Sequence, residues 1–153
     1  MSRAGFYAIP YQKLEFRRDG NWYANGERVT HERLARFFSR YLRRKPDGSG
    51  YEIWVDERFH CDVEVEDTPF VVTAVEQDPS GHWQVLLNDG SQEPLDVASL
   101  ASAPDGSLSC RVKGDERARF LRSAQAELLS HVEESDGVLY LKAGGRLVPL
   151  PLR

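Results

Sequence analysis

The sequence predicts an α+β fold made of two small related lobes, each with antiparallel strands and one amphipathic helix. Segments that alternate apolar and polar residues recur along the chain, and this period of two is typical of half-buried strands. One stretch in each half instead repeats its apolar residues at helical spacing. With 153 residues, 41% of them hydrophobic and 29% charged, the chain is long enough to bury a core without disulfides or metals.

The order of strands, helix and strands occurs once in each half of the sequence. We therefore expect an N-terminal α+β lobe with a basic helix over residues 1–60. Residues 61–153 should form a β-rich C-terminal lobe with one long helix and a final hairpin. Because no linker rich in Gly, Ser or Pro separates the halves, we expect the lobes to pack together.

The N-terminal lobe begins with a predicted hairpin over Gly20–Val29. Its turn is Asn25-Gly26, two residues that tolerate the positive φ of a tight hairpin turn. Thr30 should then cap a helix that runs from His31 to about Arg44, with its apolar residues on one stripe. A Pro- and Gly-rich stretch ends the helix, and Tyr51–Val55 reads as a short strand.

Residues His60–Val72 predict a strand, a sharp corner and a second strand. Alternation up to Glu66 puts acidic residues on the water-facing side of the first strand. Asp67-Thr68-Pro69 interrupts it, because Pro69 has a fixed φ and no N–H donor. Two consecutive carboxylates, Glu66 and Asp67, therefore stand at the corner.

The C-terminal lobe reads as strands around one helix. Strands are predicted over Phe70–Glu76, His82–Asn88 and Ser107–Val112. The helix is predicted over Glu116–Glu134, from the helical spacing of its apolar residues. The tail should form a hairpin of Val138–Lys142 and Arg146–Leu150, with Gly-Gly at its turn.

Composition narrows the class of partner and the compartment. The net charge of −4 argues against affinity for nucleic acid polymers or anionic membranes. No apolar run is long enough to span a membrane, and the N-terminus lacks the features of a signal peptide, so we expect a cytoplasmic protein. Cys61 and Cys110 match no redox or zinc motif and are expected to be buried thiols. The histidines are widely spaced, so no metal is predicted. No phosphate-binding glycine loop or dinucleotide fingerprint is present, so no cofactor is predicted either.

The first helix carries an unusual concentration of arginine. At 100° per residue, Arg33, Arg36, Arg40 and Arg44 fall on one narrow band beside the apolar stripe. Guanidinium groups suit the bidentate binding of phosphate, so the band predicts an anion or nucleotide-phosphate site. The alternative is a solvated helix face that nearby acids neutralise, including those at the Glu66-Asp67 corner.

Other candidate groups are less specific. Glu66 and Asp67 could form a metal or general-base pair, but neighbouring residues on a strand point to opposite faces, so a hydrolase is disfavoured. Trp54 shares a predicted strand face with Glu52 and Asp56 and could stack on a base or ring. Its alternative role is packing at the core or rim. We do not predict an enzyme.

A fixed succession of motifs runs through residues 16–75: Asp19-Gly20-x-Trp22, Gly26-x-x-Val29, Arg33-Leu34-x-x-Phe37-Phe38-Ser39-x-x-Leu42-Arg43-Arg44, Gly50-Tyr51-x-Ile53 and Val63-x-Val65-Glu66-Asp67-x-Pro69-Phe70-Val71. In order and spacing it resembles a bacterial family known as domain-of-unknown-function family 1285. The resemblance implies two related α+β lobes, the C-terminal one like a pleckstrin-homology domain. It also implies a pocket at the lobe interface for a nucleotide-like molecule in signalling.

These observations together predict a non-enzymatic module that binds a small anionic, nucleotide-like ligand between the lobes. The arginines would hold phosphate, Asp67 would orient the corner or a ribose hydroxyl, and an aromatic ring would offer a stacking surface. The predicted ligand-binding residues are Arg36, Arg40, Arg43, Arg44, Trp54, Glu66, Asp67 and Phe70. The alternative is a protein–protein interaction module that uses a sheet edge or the final hairpin of the C-terminal lobe.

Overall fold

The computed structural model of the chain describes residues 13–152. It divides into two compact units, the first ending at Pro69 and the second beginning at Phe70. Each unit contains a six-stranded sheet and one α-helix within the described residues, and the second unit adds a three-stranded sheet. The predicted α+β class with two similar lobes is confirmed.

The first unit combines a six-stranded sheet with helix α1 (Glu32–Tyr41). The strands lie side by side in the order β3-β2-β1-β6-β5-β4, and all neighbours are antiparallel except the central pair β1 and β6. Their bounds are β1 Leu14–Phe16, β2 Trp22–Ala24, β3 Glu27–Arg28, β4 Leu42–Arg44, β5 Tyr51–Asp56 and β6 Phe59–Val65.

The predicted hairpin is confirmed, with Asn25 at φ 51° and Gly26 at φ 86° joining β2 to β3. Both bounds of the predicted helix are wrong. The cap is His31, whose Nδ1 accepts the Leu34 N–H at 3.3 Å, and not Thr30. The helix ends at Tyr41 because the next three residues extend and pair with β5, which buries Leu42 against Ile53.

Helix α1 packs on one face of the first sheet. Phe38 lies 5.3 Å from Trp22 between ring centroids, and the Trp22 indole N–H donates to the buried Ser39 hydroxyl at 2.8 Å. The indole thus buries apolar area while its one polar atom is satisfied. This contact fixes which sheet face is core and which is open.

The second unit contains the other six-stranded sheet, helix α2 (Arg122–Leu129) and a C-terminal three-stranded sheet. The six strands lie in the order β10-β11-β12-β7-β8-β9, and the three in the order β13-β14-β15. Their bounds are β7 Phe70–Gln77, β8 Trp83–Leu87, β9 Gln92–Pro94, β10 Ala101–Ser102, β11 Leu108–Val112, β12 Glu116–Phe120, β13 Val132–Ser135, β14 Val138–Ala143 and β15 Arg146–Pro149.

The two large sheets have the same topology. Each consists of two three-stranded antiparallel meanders, and the first strand of the first meander lies parallel to the last strand of the second. The parallel pairs are β1 with β6 and β7 with β12. The units differ in what joins their meanders: α1 does so in the first, and a short 3-10 helix, Val97–Ser99, does so in the second.

The predicted helix over Glu116–Glu134 is wrong at both ends. Glu116–Phe120 forms β12, which is hydrogen-bonded on both sides, and Val132–Ser135 forms β13. The helix between them spans only Arg122–Leu129. Ala118 and Phe120 are buried on one face of β12, and their spacing of two fits one face of a strand and not one face of a helix. The predicted final hairpin is confirmed as β14 and β15.

Candidate functional site

Helix α1 presents three guanidinium groups in a row. Arg33, Arg36 and Arg40 are all exposed, and within residues 13–152 none of them makes a hydrogen bond or ion pair. Arg44, the fourth member of the predicted band, lies on β4 and not on the helix. The band is therefore shorter than the sequence predicted, and its three helical members lack a neutralising acid.

Arg43 lies on the opposite face of the first sheet from α1. Its neighbour Leu42 is buried on the helix side, and successive residues of a strand point to opposite faces. The Arg43 Nε donates to Oε2 of Glu52 at 2.9 Å, and the Glu52 side chain is only 9% exposed. The sheet thus separates Arg43 from the guanidiniums of α1, and a buried carboxylate engages it.

Trp54 belongs to the same open face, but its ring is covered. The Arg43 guanidinium carbon lies 4.3 Å from the centroid of the Trp54 ring. The His60 ring stacks on it at 4.8 Å, with an angle of 29° between the planes. Both groups therefore lie against the indole ring. A base would have to compete with them for a stacking surface on Trp54.

The remaining cations beside α1 also have partners. Arg44 donates to the Tyr51 hydroxyl at 2.7 Å, and its guanidinium lies 5.0 Å from the Tyr51 ring centroid. Lys45 Nζ lies 2.8 Å from Oδ1 of Asp62, and this hydrogen bond raises the pKa of Lys45. The basic segment therefore divides into cations held by the sheet and cations left free on the helix.

The two corner carboxylates both meet Arg18. Oε1 of Glu66 accepts the Arg18 backbone N–H at 2.7 Å, and Oδ2 of Asp67 accepts from its guanidinium at 3.3 Å. Phe70 is 5% exposed and packs in the core of the second unit, where the Lys113 ammonium lies 5.6 Å from its ring centroid. These contacts give all three residues roles in stability.

Of the predicted site residues, the structure therefore places two pairs in shared contacts: Arg43 with Trp54, and Glu66 with Asp67 through Arg18. Arg36 and Arg40 share only the helix face. The sequence did not indicate Arg18, because it is distant from the corner in sequence. It also did not indicate His60 as a ring partner of Trp54, although the pairing of β5 with β6 puts them opposite each other.

A groove of about 340 Å³ opens on the first unit, and none of the predicted site residues lines it. Its floor is Leu14 and Val63, and its charged rim holds Lys13, Lys45, Asp62 and Glu64. Lys45 pairs with Asp62 at 2.8 Å, and Lys13 Nζ lies 3.9 Å from Oε1 of Glu64. The groove therefore has no free charge of one sign that would select a ligand.

Residues 13–152 contain neither a metal-binding cluster nor a membrane-spanning helix. No group of three or more His, Cys, Asp or Glu side chains is arranged to hold a metal ion. No helix in this part of the chain has the length and apolar character needed to cross a membrane.

Two solved structures share this two-lobed α+β fold. A DUF1285 family protein from Silicibacter pomeroyi DSS-3 matches with a TM-score of 0.68 and 22% identity, over 90% of this chain and 79% of that one. A DUF1285 family protein from Shewanella baltica OS155 matches with a TM-score of 0.62 and 18% identity, over 76% of this chain and 90% of that one. No protein-family model and no curated protein matches the sequence.

The chain thus has the fold of the DUF1285 structures, and the resemblance seen in its motifs is confirmed at the level of the fold. The pleckstrin-homology-like character of the C-terminal lobe stays a prediction.

Proposed function

We propose that the protein is a non-enzymatic module that binds a small anionic, nucleotide-like ligand, with a role in signalling. The phosphates would lie on the exposed face of α1, against Arg33, Arg36 and Arg40. The observation that carries this proposal is that these three guanidiniums have no partner within residues 13–152. Residues 1–12 contain no aspartate or glutamate side chain that could supply one.

An unneutralised row of arginines has an energetic cost that a ligand would remove. Like charges three or four residues apart destabilise a helix by about 0.2–0.5 kcal/mol per pair. Arg33–Arg36 and Arg36–Arg40 are two such pairs, and the one acid on the helix, Glu32, lies one turn before Arg36 without forming an ion pair with it within residues 13–152. By contrast, Arg43, Arg44 and Lys45 each have a partner on the sheet. A bound phosphate would convert the repulsion on α1 into charge-assisted hydrogen bonds.

The test is a thermal-shift measurement against a panel of nucleotides. We expect at least one nucleotide to raise the melting temperature of the protein, because a ligand that binds only the folded state stabilises it. Arg36→Ala and Arg40→Ala should abolish the shift. Arg58→Ala is the matched control, since Arg58 is exposed on the same unit and its side chain has no partner within residues 13–152. An unchanged melting temperature across the panel would contradict the proposal.

A second candidate function is protein–protein interaction through the C-terminal sheet. Leu147 is 51% exposed and Val138 is 38% exposed. The β14–β15 register places both on the outward face, opposite the buried Leu141. This face would be the one on which a partner docks, with Leu147 as its most exposed apolar side chain.

The β15 edge of this sheet is a poor site for strand addition. The Leu150 N–H donates inward to the Leu139 carbonyl at 2.8 Å, so the residues with outward backbone groups on this edge are Leu147, Pro149 and Pro151. Two of these three have no N–H to donate, and proline is a known protection of sheet edges. The face is therefore a better candidate than the β15 edge.

Cross-linking with Leu147→Glu and Leu129→Glu variants would test this second candidate. Leu129 lies on α2 and is 39% exposed, so it controls for the general effect of replacing a surface leucine with an acid. A partner lost only from the Leu147 variant would support the sheet face. A partner retained by both variants would exclude that face.

A further inference from the structure

The free guanidiniums of α1 form a line along the helix and not a ring around a cavity. With a rise of about 1.5 Å per residue, Arg33 and Arg36 are about 4.5 Å apart along the axis, and Arg36 and Arg40 about 6 Å apart. All three lie within an arc of about 60°. A single compact anion would engage one or two of them, whereas a chain of phosphoryl groups would engage the row.

The first unit offers little to recognise a base. The rings of Trp54, Tyr51 and Tyr23 each have an arginine guanidinium against them, His60 also stacks on Trp54, and Trp54 lies across the sheet from α1. Tyr41 is the partly open ring on α1, at 37% exposure, and it packs against Phe37 with ring centroids 4.9 Å apart. A convex helix face also cannot enclose a small ligand in the way that a pocket does.

We infer that the α1 row selects an oligophosphate, meaning a ligand with two or more linked phosphoryl groups, by charge and not by its base. This inference rests on the proposed function and deepens it by naming the ligand class. Nucleoside triphosphates and free inorganic oligophosphates share this chemistry. Ligands with one phosphoryl group, including cyclic mononucleotides, would bind weakly because they leave part of the row unpaired.

The test is calorimetric titration of the full chain at low ionic strength with ATP, AMP, inorganic tripolyphosphate and orthophosphate. We expect ATP and tripolyphosphate to bind equally within about twofold, and AMP and orthophosphate about tenfold or more weakly, since each lost charge-assisted hydrogen bond is worth about 1.5 kcal/mol or more. Arg36→Ala and Arg40→Ala should each weaken tripolyphosphate binding about tenfold, and Arg58→Ala should not. Added salt should weaken the binding of both long ligands alike.

The outcomes separate this inference from the proposed function. If AMP binds as tightly as ATP, or ATP binds and tripolyphosphate does not, charge selection is refuted and nucleotide binding stands. The Tyr41→Leu variant tests whether the protein contacts the base. Weaker ATP binding with unchanged tripolyphosphate binding would show that it does. If none of the four ligands binds, or if neither Arg36→Ala nor Arg40→Ala weakens the binding of any of them, the proposed function itself is refuted.

Discussion

Replacing Lys113 by asparagine tests the best-defined buried ion pair of the second unit. Lys113 begins the tight turn between β11 and β12 at φ 53°, in the left-handed region that costs an ordinary residue about 1–2 kcal/mol. Its ammonium lies 2.7 Å from Oδ2 of Asp89 and 2.9 Å from the Ser91 hydroxyl. Asparagine suits this turn position better than lysine but cannot reach Asp89.

The expected magnitude follows from the burial of Asp89, whose side chain is 6% exposed. Removing one partner of a fully buried pair costs about 3–5 kcal/mol. Here the Lys113 side chain is 33% exposed and Asp89 keeps its two hydrogen bonds from Ser91, so we expect about 2 kcal/mol. Asparagine adopts the left-handed conformation at this turn at less cost than lysine, and this recovers about 0.5–1 kcal/mol of the lost stability. Lys113→Asn should therefore lower the free energy of unfolding by about 1–1.5 kcal/mol.

Urea denaturation of four proteins, the wild type, Lys113→Asn, Asp89→Asn and the double variant, measures the coupling. With Asp89 made neutral, the Lys113 substitution should leave stability unchanged or raise it, because only the turn effect remains. The sign of the Lys113 effect therefore depends on residue 89. A destabilisation of equal size in both backgrounds would refute the ion pair as its cause.

The pH dependence supplies a second check on the same pair. Burial alone would raise the pKa of Asp89, but the hydrogen bonds from Lys113 and Ser91 outweigh it, and the pKa lies below its ordinary value. Such a carboxyl stabilises the fold above its unfolded pKa of about 4, and this stability is lost as the pH falls through the folded pKa. The difference in free energy of unfolding between wild type and Lys113→Asn should therefore have its full size at pH 7 and decrease below about pH 4. A gap that stays constant into strong acid would contradict this account.

Two further expectations concern the second unit. Gly144→Ala should destabilise more than Gly145→Ala in thermal melts. Both have positive φ, but only at Gly144 would a Cβ meet His82, 2.5 Å from Nε2, and His82→Ala should remove the difference. Cys110 should resist thiol reagents at pH 8 in the folded protein while Cys61 reacts, because Cys110 is fully buried and burial raises its pKa to about 12. Labelling of both thiols at equal rates would contradict this expectation.

The turns and strands of the fold could be predicted from the sequence because their signals are local. Asn25-Gly26 fixed the first hairpin through two residues that accept positive φ, and alternation marked β6. The ends of the helices could not be predicted in this way. Leu42 leaves α1 because the backbone of β5 is available to pair with it, and that partner is contributed by a later segment. Tertiary pairing of this kind overrides helical spacing.

The candidate site was predicted only in part, for a related reason. The density of arginine is visible in the sequence, but which guanidiniums find acids is decided by strand register. Arg43 lies directly across from Glu52 once β4 pairs with β5, and this pairing holds Arg43 on the sheet face opposite α1. Glu66 and Asp67 likewise bind Arg18, which enters through the parallel contact of β1 with β6. Nothing in the sequence indicates that Glu52 would be the partner of Arg43, or that Arg18 would be the partner of Glu66 and Asp67.

The two units share a sheet topology, but the arginine row lies in a connection whose counterpart in the second unit lacks it. The connection between meanders is α1 in the first unit, but in the second it carries the 3-10 helix Val97–Ser99, and residues 95–100 contain no basic side chain. Helix α2 follows β12 instead and has one basic residue, Arg122. The proposed anion site on α1 would therefore belong to this connection and not to the shared sheet. Hydrogen exchange with tripolyphosphate should accordingly slow in α1 and remain unchanged in α2, and equal protection of both helices would assign the anion to a feature that the two units share.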